Sequence, residues 1–414
     1  MTTVKLQQLK ESFPTADEST LLEVLLSCNG SLKSSHALLS ESFPDYQPKN
    51  QPRAASRQTN IRALFGETDN SVITKTNKGN KPVHLYTKQD VEKTLGFISI
   101  HYNFLPADLS DALLTYIMND NEGYNPQEFY LFGNKCQSNH ENKVYSSMKG
   151  TEFFYNGSKH DYNDEYNDDM KMAQLLIEDQ VNGEIASLPI LPFQHRGKWK
   201  GDISVCNKFY NKSNDLDWHS DRMTYLGPHC IIASLTLGAC REFRVRKQYG
   251  EEGSPSTIYS IPLPHNTLII MHAGFQEEYK HAVSSTTEFQ SHGISGALRV
   301  NLTYRNYIER FKANLPMCFK CGNQMDLRRS YKTPEARGRY IWLCTSGYLN
   351  KECNGFKWAN FQNEDLTCDN IDDCSIWINK TDHSALSAFR NRITEKLAAL
   401  SNSNANSNTS TSTS

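Results

Sequence analysis

No stretch of about 18 apolar residues occurs in this 414-residue chain, so a membrane-spanning helix is excluded. Neither sign of charge is in excess: 44 Lys+Arg stand against 46 Asp+Glu, a net charge of −2. Taken whole, that balance argues against a uniformly basic nucleic-acid coat or membrane-surface protein. The start, MTTVKLQQLKESFP, lacks a basic segment followed by an apolar one, and export by a standard signal peptide is not expected. The 11 cysteines lack the even count of a disulfide framework and point to thiols in a reducing compartment, some of them holding metal. Apolar residues are scarce at 38%, as in a chain that is partly linker. At ~100–200 residues per domain, two to four domains are expected.

What is present falls into segments. Residues 1–45 carry Leu6, Leu9, Phe13, Leu21, Leu22, Leu25, Leu26, Leu38 and Leu39 at helical spacing and read as a small all-α bundle. Phe13-Pro14 ends its first helix, because proline disfavours helix in the residue before it. Residues 46–82 are polar and proline-bearing, a disordered linker. Residues 83–312 form the main domain. A helical pattern at Asp108–Met118 gives way to strand-like runs at Ile203–Tyr210, Ile231–Leu237, Glu242–Arg246, Thr267–Met271 and Leu298–Tyr304. Many short strands between Gly, Pro and Asn turns read as a mainly β sandwich or barrel. A cysteine-bearing unit spans 313–362, a helical segment (Ser384–Leu400) lies within 363–400, and the Ser/Asn/Thr tail 401–414 is expected to be disordered.

Within the main domain, His219 and Asp221 stand two apart, so on extended chain they point the same way. His281 follows 62 residues later as a third donor. Two histidines and a carboxylate on one face of an octahedral ion suit non-haem Fe(II); the plain alternative is an exposed polar turn. Further on, Arg299, Asn301, Thr303 and Arg305 alternate along one strand face. Two inward guanidiniums are costly unless they meet anions, and a dicarboxylate matches them.

The order Asn207, His219-Ser220-Asp221, Ser234 to Phe243, His281 and Arg299-Val300-Asn301-Leu302-Thr303-Tyr304-Arg305 resembles an AlkB-type Fe(II)/2-oxoglutarate dioxygenase over about residues 95–312. The resemblance implies a double-stranded β-helix (jelly roll). His219, Asp221 and His281 would be iron ligands, and Arg299, Arg305 and Asn207 would bind 2-oxoglutarate. It also implies oxidative removal of N-alkyl groups from nucleic-acid bases, with release of formaldehyde, succinate and CO2. Such a base must be single-stranded or flipped out. Two positions depart from the family pattern: Phe209 stands where a tyrosine is common, and Met223 where an acid often meets the base. The basic stretch Gln194–Lys200 offers Trp199 for stacking on a strand, or is a solvated hairpin tip.

Cys318, Cys321, Cys344 and Cys353 form a four-thiolate pattern suited to Zn(II). With Gly338-Arg339-Tyr340 and Phe356-Lys357-Trp358 the unit resembles a GRF-type zinc finger, which implies single-stranded nucleic-acid binding. Residues 318–360 carry eight basic and three acidic side chains. At the other end, Phe13, Pro14, Leu38 and Leu39 resemble the surface of a CUE-type ubiquitin-binding domain, with Ser12 in place of a methionine. Gln58, Ile61, Leu64 and Phe65 resemble a sliding-clamp box. Together these imply a DNA-repair demethylase of the nucleus, or of nucleus and cytoplasm. The alternatives are an RNA or protein hydroxylase on the same scaffold and a non-catalytic ubiquitin- and nucleic-acid-binding adaptor.

Overall fold

The computed structural model describes residues 2–13, the single positions 21, 25, 32 and 35, and the chain from 81 onward except 132–133, 148–152, 156–157, 161–163, 250–255, 288–289, 347–352 and 410–414. Two compact units divide it: residues 1–80 with 129–137, and residues 81–128 with 138–414. In the first, helix α1 (Thr2–Ser12) stops just before Phe13-Pro14. Leu9, Leu21 and Leu25 form its buried core, backed by Leu6, Phe13 and Leu32. Pro14, Leu38, Leu39 and the Gln58–Phe65 box lie outside the described residues.

The second unit opens with β1 (Val83–His84), α2 (Lys88–Leu95), β2 (Ile98–Tyr102) and α3 (Ala107–Asn119). Then follow β3 (Asn125–Leu131) and β4 (Asn134–Ser146), whose residues 129–137 count with the first unit, then β5 (Phe153–Tyr155), β6 (Ser158–His160), β7 (Asp164–Glu165) and α4 (Asp168–Ile185). Thr87 caps α2 by accepting the Asp90 N–H, and Gly96, at φ +72°, closes it in the left-handed conformation that glycine tolerates. The strands that carry the site come next: β8 (Ile203–Phe209), β9 (Leu216–His219), β10 (Ile232–Gly238), β11 (Arg241–Lys247), β12 (Tyr259–Leu263) and β13 (Thr267–Met271). A one-turn helix α5 (Phe275–Glu278) feeds β14 (Tyr279–Val283), followed by β15 (Arg299–Arg305) and α6 (Glu309–Ala313). The strand-like runs read from the sequence all form strands.

These strands make two sheets, ordered β1-β12-β11-β14-β9 and β2-β13-β10-β15-β8-β4-β3 with β7 beside β4. Sequence-distant strands lie side by side in each, as in a jelly roll. Val245, Ile261 and Leu263 of the smaller sheet share one apolar cluster with Ile100, Ile232 and Ile269 of the larger. On the far side of the larger sheet, Leu235, Leu268, Val300 and Leu302 meet Leu113 and Ile117 of α3 and Ala173 and Ile177 of α4. This explains why β10 is buried on both faces.

The C-terminal part is a third sheet of β16 (Met325–Arg329), β17 (Tyr340–Cys344), β18 (Phe356–Ala359) and β19 (Thr367–Cys368). The cysteine unit therefore does not end at 362: β19 pairs with β18, and Arg339 bridges to Ile376. Met325, Leu327, Tyr340, Trp342 and Phe361 continue the apolar cluster of the main domain. The last helix, α7 (His383–Thr409), outruns the expected Ser384–Leu400 and enters the segment expected to be structureless. Elongating an existing helix is far easier than nucleating one, so weak helix formers are carried along. No helix among the described residues is long and apolar enough to cross a membrane.

Candidate metal and co-substrate site

His219 ends β9 and His281 lies on β14, directly opposite it in the antiparallel ladder. Side chains so paired share one face, and the two imidazole centres are 4.2 Å apart. Asp221 joins them from the turn after β9: its Oδ1 is 3.6 Å from Nε2 of each histidine. One ion about 2 Å from each donor can span such separations. His219 Nδ1 sits 2.7 Å from the Asp217 carbonyl, which places its proton there and leaves Nε2 free as a ligand. Burial, with His219 adding to it, pushes the His281 imidazole down to about 3, so it is neutral and able to coordinate. Burial alone would raise the Asp221 carboxyl, but Arg305 and the two histidines outweigh it and hold it well below the usual carboxylate range.

The larger sheet supplies the opposite wall. Arg305 donates from Nε (2.7 Å) and from Nη2 to Asp221 Oδ2. Arg299, on the same face of β15, is 2% exposed and stacks its guanidinium over Phe209 at 5.1 Å. Its Nη2 donates to Thr236 Oγ1 (3.1 Å), while Nε and Nη1 find no partner. Burial, with Arg241 nearby, pulls its pKa down to about 9. A buried guanidinium with two open donors fits one end of a dicarboxylate. Between the two arginines, Thr303 donates to Asn301 (2.8 Å) and Asn301 to Ser234 (2.7 Å). Asn207 is buried on β8 opposite Asn301, and, two residues on, the Phe209 ring stacks on His140 at 5.0 Å. The residues present thus fit both Fe(II) and 2-oxoglutarate.

Some sequence expectations change here. Arg305, expected to bind 2-oxoglutarate, donates to Asp221. Tyr210, next to Phe209, is exposed, and its hydroxyl donates to Glu141 (2.6 Å). Met223 is a buried side chain of the apolar core. Trp199 is unavailable for stacking on a strand, because it is 3% exposed and its Nε1 donates to the Ile231 carbonyl (2.8 Å). Sequence reasoning missed Thr236 and His140; the signal for Thr236 was the polar alternation Ser234-Leu235-Thr236-Leu237.

The structure also gathers Cys318, Cys321, Cys344 and Cys353 so that their sulfurs all lie within 4.8 Å of one another. Cys318–Cys353 and Cys321–Cys344 are 3.7 and 3.4 Å apart. Those gaps are far beyond a disulfide bond and near the ~3.8 Å edge of a tetrahedron with ~2.3 Å Zn–S bonds. A Cβ on Gly355 would fall on Cys318 Sγ, so the glycine admits the cluster. Cys368 and Cys374 stay outside it. Three of the unit's basic side chains are not available to phosphates: Arg329, Arg337 and Arg339 are buried and hydrogen-bonded to Glu277 O, Asp382 and Glu335 O. Tyr340 is likewise buried, its hydroxyl facing His229 and Glu277. A third group, Asp111, His265 and His292, does not suit a metal. His265 Nδ1 accepts the Gly238 N–H (3.0 Å), so the neutral ring carries its proton on Nε2, the atom facing Asp111.

Three donors able to hold a metal ion on one sheet and the turn beside it face a buried guanidinium with open donors on the other, the arrangement a metal-dependent enzyme with an anionic co-substrate requires. Residues 97–305, half of the chain, match the family model described as the 2OG-Fe(II) oxygenase superfamily, and the chain belongs to that family. Among curated relatives, human alpha-ketoglutarate-dependent dioxygenase alkB homolog 3 is 40% identical over 105 residues, 24% of this chain and 35% of that protein. Human DNA oxidative demethylase ALKBH2 is 29% identical over 107 residues, 25% of this chain and 39% of that protein. The chain thus spans little more than a third of the length of the curated relatives it matches. A solved structure titled "The structure of OsALKBH1" is 15% identical, with a TM-score of 0.37, over 51% of this chain and 97% of that one.

Proposed function

We propose that this oxygenase is an oxidative demethylase acting on N-alkylated bases of nucleic acid, with DNA repair as its setting and the nucleus, or nucleus and cytoplasm, as its place. The observation that carries the reading is the pairing of the His219, Asp221 and His281 donor set with the buried, anion-seeking Arg299. That pairing lies in a chain whose matched relatives are named as AlkB homologues and DNA demethylases. His219, Asp221 and His281 would hold Fe(II); Arg299 and Asn207 would take 2-oxoglutarate, with Arg305 orienting Asp221 beside it. When bound, iron and 2-oxoglutarate supply oxygen activation, coupled to release of CO2 and succinate. The methyl carbon is hydroxylated, and its N–C bond breaks to give formaldehyde and the free base.

The four cysteines would hold Zn(II) in a GRF-type finger that binds single strands through the exposed Phe319, Lys320 and Phe356 and the half-buried Lys357. In the first unit, a CUE-type surface including Phe13 would bind ubiquitin, and the Gln58–Phe65 box a sliding clamp.

The test is incubation of the full chain with methylated single-stranded DNA, RNA and peptide, scored by formaldehyde and succinate. Turnover on methylated DNA, absent in His219→Ala, is expected. Turnover only on RNA or peptide would move the substrate class, and no succinate on any of them would favour the adaptor.

A further inference from the structure

The two segments that carry the proposed iron ligands are both gripped by one strand of the C-terminal sheet. Arg222 and Thr224 follow Asp221 by one and three residues. Thr224 Oγ1 donates to Asp326 Oδ1 on β16 and accepts the Leu327 N–H (3.1 Å). Arg222 Nη1 lies 3.4 Å from Asp326 Oδ2. Glu277 and Glu278 precede His281 by four and three residues. Arg329, also on β16, donates from Nη1 to the Glu277 carbonyl, and its Nη2 lies 3.6 Å from Glu278 Oε1. The same Nη2 donates to the Trp377 carbonyl (3.1 Å).

The two segments are also tied to each other. Gln276 Oε1 accepts the Asp221 N–H (2.8 Å), and Ser220 Oγ donates to the Tyr279 carbonyl (2.7 Å). Asp326, Arg329, Thr224, Glu277 and Glu278 are all buried. A finger that merely trailed on a tether would not sink a carboxylate and a guanidinium into its neighbour, because buried charges are costly unless well paired. Moreover, the strand that grips is the strand the thiolates hold: Met325 pairs with Cys344, and Asp326 with Leu343.

We propose that the C-terminal cysteine module is a scaffold for the iron site, with Asp326 and Arg329 as positioning residues that fix the Asp221 turn and the α5 approach to His281. The proposal rests on the reading that His219, Asp221 and His281 bind the iron. Groups that orient metal ligands from outside the coordination sphere govern affinity by about 10- to 100-fold.

The experiment is titration of the full chain with manganese(II) in the presence of 2-oxoglutarate, followed by electron paramagnetic resonance. Manganese prefers oxygen and nitrogen donors and leaves an all-thiolate site alone. Wild type should bind and His219→Ala should not. Asp326→Asn and Arg329→Met should weaken binding about 10-fold or more, while Arg329→Lys recovers part of the loss and Glu364→Gln, exposed in the turn between β18 and β19, changes nothing. Thr224→Val should act in the same direction. Combined with Asp326→Asn it should be no worse than the stronger single change, because both break one contact.

Wild-type manganese affinity in cooperatively unfolding Asp326→Asn and Arg329→Met proteins would overturn the proposal. Should either fail to fold, Thr224→Val decides: it removes one hydroxyl from the turn and leaves the module's own sequence intact, and unchanged affinity there overturns the proposal too. If His219→Ala binds manganese like wild type, the iron-site reading fails and takes the proposal with it.

Discussion

Arg305 sends two hydrogen bonds, from Nε and Nη2, to a single oxygen of Asp221, leaving the other oxygen turned toward His219 and His281. The guanidinium thereby sets both the charge and the orientation of the carboxylate. Arg305→Ala removes the main influence holding the Asp221 carboxyl down. Protons then compete with metal at higher pH, so metal affinity should fall more steeply at pH 6 than at pH 8. Manganese titrations at the two pH values check this, and an equal loss at both would refute the electrostatic part.

Arg299 is expected to behave oppositely in the free and the loaded protein. Under the proposed reading, Arg299→Met would delete a charge-assisted pair to a carboxylate of 2-oxoglutarate, worth about 1.5–3 kcal/mol, so the KM for 2-oxoglutarate should rise about 10- to 100-fold. Without co-substrate, the same change removes a buried, incompletely partnered cation whose pKa burial has pulled down to about 9. The free protein should then be stabilised by about 1 kcal/mol or more. Urea titrations with and without 2-oxoglutarate separate the two effects.

His140 gives the metal-free protein an acid limit. Burial lowers its pKa to about 4, against an unfolded value of about 6.5. The unfolded chain therefore binds the proton first, so the contribution is complete above about pH 6.5 and is lost as pH falls toward 4. The loss is on the order of 3 kcal/mol. His281, pushed down to about 3, adds in the same direction over a slightly wider window. Denaturation midpoints measured from pH 4 to 7.5 should fall with acid, and less so in His140→Gln.

Metal in the cysteine cluster is checked by zinc content. Wild type should carry one zinc per chain; Cys344→Ser should lose it and weaken strand affinity. Full zinc with full strand affinity in Cys344→Ser would remove the assignment.

Much of this site was legible because its chemistry is local in sequence. His219 and Asp221 lie two apart, the arginines alternate along one strand, and the apolar runs mark strands directly. Illegible was which polar side chains turn inward, since that depends on partners far along the chain. Trp199 sits in a basic run and reads as solvent-facing, yet the Ile231 carbonyl, 32 residues on, receives its indole. Arg329, Arg337 and Arg339 count toward a basic surface until the structure spends them on internal partners. Glu277 and Glu278 are acids in a short polar run, yet both are fully buried. The helix beyond Leu400 was missed because composition reports how well a helix starts, not how far one already formed will run.

The direct pairing of His219 with His281 also bears on how the chain finds its fold. A slip of one residue between β9 and β14 would put the two imidazoles on opposite sides of the sheet. Short strands near a sheet edge are where such slips are least resisted, and β9, four residues long, is an edge strand. A cation captured by both histidines would bind only the correct alignment and so reject the slipped ones. In this oxygenase the metal would act as a proofreader of strand alignment before it acts on any substrate.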